Sequence, residues 1–247
     1  MVELAEESNI SSLWSSLKES LFPPLCELCG KGAKSFVSLC DACQHGVLPL
    51  PKSHCLCCAQ PFISQETRAH LCSVCLKEKP SFTKVFSPFL MEGSIQRLLH
   101  QVKFGSQIST VQVLAQLAAP SFKKAVQEFL PDLLLPVPLS RLRLLRRSFN
   151  QSVLLSKELL SASSLDLDLD FSIGRRYQRP QAQKKRADRL KALGGAFSFR
   201  KPKSFEGLKI LIVDDVLTTG ATAEALTRLC LKARAREVGV WVLARRA

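Results

Sequence analysis

Asp214 and Asp215 stand side by side at the end of an apolar run, Ile210-Leu211-Ile212-Val213, and the sequence Thr218-Thr219-Gly220-Ala221-Thr222 follows two residues later. Such a run reads as a buried strand, and ligands of open α/β sheets bind beyond the carboxyl ends of their strands. The TTGAT turn leads straight into the helical pattern ATAEALTRLCLKARA. Unpaired backbone N–H groups, the hydroxyls of Thr218, Thr219 and Thr222, and the positive end of a helix would then converge on one point, which suits a monophosphate. Gly220 fits a turn where a side chain would crowd either the backbone or the phosphate. Two neighbouring carboxylates are a poor surrounding for phosphate alone. They make sense when the phosphate is carried by a sugar whose paired hydroxyls need acceptors, as ribose offers. No GxxxxGK[ST] occurs and no GxGxxG follows a strand, which argues against ATPase and dinucleotide loops.

A second chemistry lies near the other end. Cys26-x2-Cys29, Cys40-x2-Cys43, Cys55-x2-Cys58 and Cys72-x2-Cys75 form four CxxC pairs, with ten residues between the first two pairs and thirteen between the last two. Eight thiolates suffice for two tetrahedral zinc ions of the structural kind, which leave no open coordination position. Local four-cysteine sites and an interleaved arrangement of the pairs fit the count equally well. Cys57, inside the third pair, reads as a spare thiol or as a ligand in place of Cys58, and His45, His54 and His70, near enough to replace a cysteine, read as surface or packing residues. A segment of about fifty residues with few apolar runs cannot bury much of a core, and metal supplies what packing does not. On this reading chelation unfolds the N-terminal part first.

Basic residues supply a third feature. RLRLLRR at 141–147 holds four arginines, and residues 175–191 hold eight basic residues against the single acid Asp188. Arginine forks pair with two phosphate oxygens at once, so both runs suit phosphate or nucleic-acid contact.

The elements needed to position these groups follow from periodicity. Residues 1–24 read as an N-terminal amphipathic helix ended by Pro23-Pro24, with Trp14 and Leu17 as packing residues; 25–80 as a cysteine-rich zinc module; and 81–247 as an α/β domain. In the last, apolar runs alternate with helical patterns, the mark of a mainly parallel sheet flanked by helices. VFSPFLM reads as a first or edge strand, DLLLPVP as a short buried strand, LDLDLDFSI as a half-buried strand, and LKILIVDD and EVGVWVLAR as central strands. SIQRLLHQVKF, STVQVLAQLAAPSFKKAVQEFL and FNQSVLLSKELLS read as helices, the second interrupted at Pro120.

Of 247 residues, 35 are basic and 21 acidic, for a formal net charge of +14. That excess suits a polyanionic ligand without choosing among phosphates, nucleic acid and a membrane surface. No apolar run approaches the roughly 20 residues needed to span a bilayer. The start, MVELAEESNI, lacks the basic-then-apolar order of a secretory signal, which leads to the expectation of a cytoplasmic protein. In that reducing compartment, paired cysteines bind metal rather than form disulfides.

The segment KILIVDDVLTTGAT resembles the phosphoribosyl pyrophosphate motif of type I phosphoribosyltransferases. With the cysteine pairs, GSIQRLLHQVKFG, LLLPVPLSRLRLLRRSFNQ and RPQAQKKRADRLKALGGAF, the chain resembles the ComF family, associated with competence and DNA uptake, from Cys26 to Ala247. The resemblance implies a type I phosphoribosyltransferase-like fold that binds phosphoribosyl pyrophosphate with Mg2+. Asp214 and Asp215 would meet the ribose hydroxyls, Asp215 being the candidate catalytic base, and Thr218, Thr219, Gly220, Ala221 and Thr222 would hold the 5-phosphate. Pro136-Val137-Pro138, Lys103, Arg141, Arg146 and Arg147 would face the pyrophosphate, and Gln181 and Arg189 would belong to a flexible loop. Phe149-Asn150-Gln151 matches the family's FNQ, but Ser148 stands where the family has glycine, and Ala192 where it has asparagine. Single-stranded DNA and competence proteins are the further partners implied. The same features also fit a non-catalytic DNA-binding or protein-interaction module.

Overall fold

The computed structural model of the chain describes residues 25–33, 38–62, 70–104, 107–163, 173–175, 197–199 and 204–247. The N-terminal helix expected over 1–24, most of LDLDLDFSI, and the basic run 176–191 with Gln181 and Arg189 lie outside them.

Two short helices follow cysteine pairs, α1 (Asp41–His45) and α2 (Ser73–Lys77). The sheet region then runs β1 (Val85–Phe86), β2 (Phe89–Leu90), α3 (Gly93–Phe104), α4 (Ile108–Phe129), β3 (Leu133–Pro136), α5 (Arg141–Arg147), α6 (Gln151–Ser163), β4 (Ile173–Arg175), β5 (Phe197–Phe199), β6 (Lys209–Leu217), α7 (Ala221–Lys232) and β7 (Glu237–Arg245). The main sheet is parallel, in the order β1-β7-β6-β3, with β2 pairing further along the same edge of β7 as β1. VFSPFLM is thus an edge strand broken in two at Ser87-Pro88. The small antiparallel ribbon β4–β5 stands apart from this sheet.

Alternate residues of the central strands enter different cores, because strand side chains alternate between faces. Leu134, Leu211, Val213, Trp241 and Leu243 pack with α3, α4 and α6, where Phe122 meets the Trp241 ring edge-on at 5.4 Å. Leu133, Leu135, Ile210, Ile212, Val238, Val240 and Val242 pack with α7 on the other face. Each cysteine group joins one of these cores: Cys26 and Cys43 the first, Cys55 and Cys75 the second. The chain between them crosses the β1–β2 edge, where Leu50 N–H donates to the Pro88 carbonyl at 2.8 Å and Val85 N–H to the Cys57 carbonyl at 2.8 Å. The edge of the sheet is thereby covered. Among the described residues no helix is long and apolar enough to cross a membrane.

Helix α4 runs unbroken through Pro120, against the sequence expectation. Pro120 and Gln116, whose carbonyl loses its partner, are both exposed, whereas Ala118, Phe122 and Val126 are buried. On that exposed face the freed carbonyl is open to solvent, while the packed face holds the helix together.

Candidate phosphoribosyl site and its metal-bearing flanks

β3 ends against β6 at the pair Pro136–Val213, so Asp214 and Asp215 are the first β6 residues without a β3 neighbour, although β6 continues beside β7 as far as Leu217. The chain leaves β3 for α6 on one face of the sheet and β6 for α7 on the other, the topological switch point at which such sheets open a crevice. Asp214 Oδ1 accepts from Ser152 Oγ at 3.0 Å and from Asp215 N–H at 2.9 Å. Asp215 Oδ1 accepts from Val216 N–H at 2.7 Å, and its Oδ2 lies 2.7 Å from Lys103 Nζ at the end of α3. Burial and the neighbouring Asp215 charge push the Asp214 carboxyl up to about 7, against the opposing pull of its hydrogen bonds and of Lys103.

The strand gives way to an exposed Thr218, then Thr219 and Gly220 at φ +76°, the left-handed region that favours glycine. Glu224 N–H donates to the Gly220 carbonyl at 2.8 Å and starts α7. The early N–H groups of this helix are those that helix geometry leaves unpaired.

On the other side, Val137 N–H donates to the Val213 carbonyl at 2.9 Å, and the Val137 carbonyl accepts from Asn150 Nδ2 at 3.0 Å. Asn150 Oδ1 in turn caps α6 through Ser152 N–H at 3.0 Å. Asn150 therefore clamps the loop after β3 to the helix that holds Asp214. The RLRLLRR run is helix α5, closed by Ser148 at φ +62° with its N–H on the Leu144 carbonyl at 2.8 Å. Serine here adopts the left-handed cap for which glycine is the usual residue.

Lys103, Asp214, Asp215 and the 218–222 turn are brought together with Pro136-Val137-Pro138 alongside. Arg147 is partly buried and feels the Asp215 charge, whereas Arg146 is exposed on α5. Arg141 opens α5. Two residues of the site escape motif reading. Ser152 has only its place two residues after a capping Asn as a signal, and Arg245 only its position as the charged end of an otherwise apolar strand.

The metal groups are local rather than interleaved: Cys26, Cys29, Cys40 and Cys43 form one tetrad and Cys55, Cys58, Cys72 and Cys75 the other, with all sulfurs of each within 4.8 Å of one another. Cys29 and Cys40 Sγ lie 3.6 Å apart and Cys58 and Cys72 Sγ 3.7 Å. A tetrahedron with zinc–sulfur bonds of about 2.3 Å has edges of about 3.8 Å, so the donor sets fit zinc. Cys57 is buried outside the tetrad. The Nδ1 atoms of His45 and His54 lie 2.7 and 2.6 Å from the carbonyls of Asp41 and Pro51, and His70 stacks on Phe62 with ring centres 4.1 Å apart. A cleft of about 530 Å³ between the second tetrad and the phosphate-type turn is lined by Phe62, Phe82, Leu217, Thr218, Gly220 and Arg245 among others.

Residues 145–247 match the phosphoribosyl transferase domain family, and residues 17–79 the double zinc ribbon domain. Sheet, crevice and tetrads thus define a protein of type I phosphoribosyltransferase fold that carries a double zinc ribbon. Competence protein F of Haemophilus influenzae is 33% identical over 215 residues, which span 84% of this chain and 90% of that protein. DNA utilization protein YhgH of Salmonella typhimurium is 31% identical over 224 residues, 90% of each. Competence protein ComFC of Bacillus subtilis is 30% identical over 163 residues, 64% of this chain and 63% of that protein. The chain belongs to the ComF family of competence and DNA utilization proteins.

Proposed function

We propose that the crevice at the end of β6 binds the ribose 5-phosphate portion of phosphoribosyl pyrophosphate, and that the protein uses this ligand in the cytoplasm in DNA uptake and natural transformation. The observation that carries the reading is the half-buried acid pair Asp214–Asp215, held by Ser152 and Lys103 and followed two residues later by a glycine turn into the N-terminus of α7. Asp214 and Asp215 accept from the ribose 2- and 3-hydroxyls. The 218–222 turn supplies N–H and hydroxyl donors to the 5-phosphate. Lys103, Arg141, Arg146 and Arg147 neutralise the pyrophosphate, Pro136-Val137-Pro138 begins the loop on that side, and Gln181 and Arg189 belong to the flexible loop that the family resemblance implies. Asp214 and Asp215 offer hard oxygen donors that would help hold a Mg2+ ion brought by the ligand, which would supply further charge neutralisation on the pyrophosphate.

The reaction that such a site favours is displacement of pyrophosphate from C1 of the ribose by an acceptor nucleophile. Fixed cations stabilise the leaving group more as its bond breaks, and the turn holds the sugar in line. Asp215, beside the reacting sugar, is the group placed to take an acceptor proton. The cleft against the second tetrad gives an acceptor room next to the phosphate turn.

The second reading is a non-catalytic module that binds single-stranded DNA or a competence protein, favoured by the net charge of +14 and by the exposed Arg146, Leu142, Leu144 and Leu145 of α5. Calorimetric titration of the zinc-loaded protein with phosphoribosyl pyrophosphate and Mg2+ separates the two. Binding is expected, weakened by about 100-fold or more in Asp214→Asn/Asp215→Asn, since each lost charge-assisted bond is worth about 1.5–3 kcal/mol. Absence of binding by the folded wild type, with tight binding to a single-stranded oligonucleotide, selects the second reading.

A further inference from the structure

Arg245 closes β7 and is only 5% exposed, yet no carboxylate pairs with it among the described residues. A buried guanidinium needs acceptors for its donors, and here they come from two places. Nε donates to the carbonyl of Cys58, a member of the second tetrad, at 3.0 Å, and one Nη donates to the Gln60 side chain two residues on. The other Nη donates to the carbonyls of Leu217 at 3.0 Å and Thr218 at 2.8 Å, where the chain leaves β6 for the phosphate-type turn, and also to the Arg246 carbonyl. One rigid fork therefore spans the gap between a metal-binding knuckle and the first residue of the turn. Four thiolates around one zinc ion carry a net double negative charge, which is the counter-charge a buried arginine otherwise lacks.

We infer that Arg245 is a positioning residue that makes the second cysteine tetrad part of the phosphate-holding turn, so that metal at that tetrad sets the affinity for a ribose 5-phosphate group. The affinity half of this inference rests on the function proposed above; the mechanical half does not. Among the described residues the first tetrad has no such link to the turn. Its Glu27 carboxylate accepts from Ser109 and Thr110 at 2.7 and 2.8 Å, which ties it to the start of α4 instead.

The test compares the zinc-loaded full chain with Arg245→Met, Cys72→Ser and Cys29→Ser by zinc content, amide hydrogen exchange over 217–222, and titration with ribose 5-phosphate. Arg245→Met is expected to keep both zinc ions while exchange in the turn quickens and ribose 5-phosphate affinity falls, each by about tenfold, the scale of hydrogen bonds to a charged group. Cys72→Ser should reproduce both effects, and Cys29→Ser should quicken exchange around Glu27 and the start of α4. Should Arg245→Met fail to fold, Gln60→Met removes one partner of the fork and is expected to move the same amides to a smaller degree. Unchanged turn exchange in a zinc-loaded Arg245 or Gln60 variant overturns the inference, as does equal loosening of the turn on loss of either tetrad. Failure of the wild type to bind ribose 5-phosphate overturns the phosphoribosyl reading, while the exchange data still decide the coupling.

Discussion

Asp214 is held between two demands. Burial and the charge on Asp215 raise its carboxyl to about 7, while Ser152, the Asp215 amide and Lys103 favour its ionised form. The folded chain therefore retains a proton on this group that the unfolded chain releases near pH 4. Its contribution to stability is fully present below that lower value and is lost as pH rises through about 7. Thermal unfolding from pH 4 to 8 should show the wild type losing stability relative to Asp214→Asn, most steeply between about 4 and 7. Affinity for ribose 5-phosphate should move the other way, increasing toward pH 8 as the carboxylate becomes the stronger acceptor, with that component absent from Asp214→Asn. The acid pair and the glycine turn were legible as types at a spacing, and Lys103 only through the family resemblance. Ser152 was not, because a serine gains meaning only when a helix start brings it against a carboxylate 62 positions away in sequence.

Periodicity located the strands and helices that carry the site, and it failed where the local rule met tertiary packing. Pro120 is the clearest case: the rule that proline ends a helix assumes that the freed carbonyl has nowhere to go, and here that carbonyl lies on the water side of a well-packed helix. The proline still costs its share. Pro120→Ala should raise stability by about 2 kcal/mol, read from the denaturant midpoint, because alanine restores the missing N–H at an exposed position. A loss of stability would show that the ring itself is packed. The arginine run 141–147 shows the opposite limit, since its charge suggested a binding patch while its helical form and its closure by a left-handed Ser148 depend on backbone geometry that composition does not carry.

At the scale of the molecule, the cysteine pairs announced metal, but pairing and placement came only from the fold. A sequence boundary near residue 80 suggests a module that unfolds by itself. Instead each tetrad is seated in one of the two cores that sandwich the sheet. Structural zinc in small fingers is worth about 10–16 kcal/mol, comparable with the entire stability of about 5–15 kcal/mol of an ordinary domain. Chelation should accordingly release two zinc ions per chain and shift the melting transition of the sheet to lower temperature together with that of the ribbons, followed by circular dichroism in the far and near ultraviolet. A chelated protein that keeps the sheet's transition temperature would mean that the ribbons are dispensable cover.

The same seating has a bearing on biosynthesis. The surfaces that receive both tetrads are completed by β7, at the far end of the described chain from Cys26. At about 5–20 residues per second, the ribosome delivers the eight ligand thiols on the order of ten seconds before the strand against which they are to rest. During that interval the ribbons must find metal without their final support, open to oxidants and to the wrong cation, so zinc supply during translation becomes a determinant of how much working protein a cell obtains.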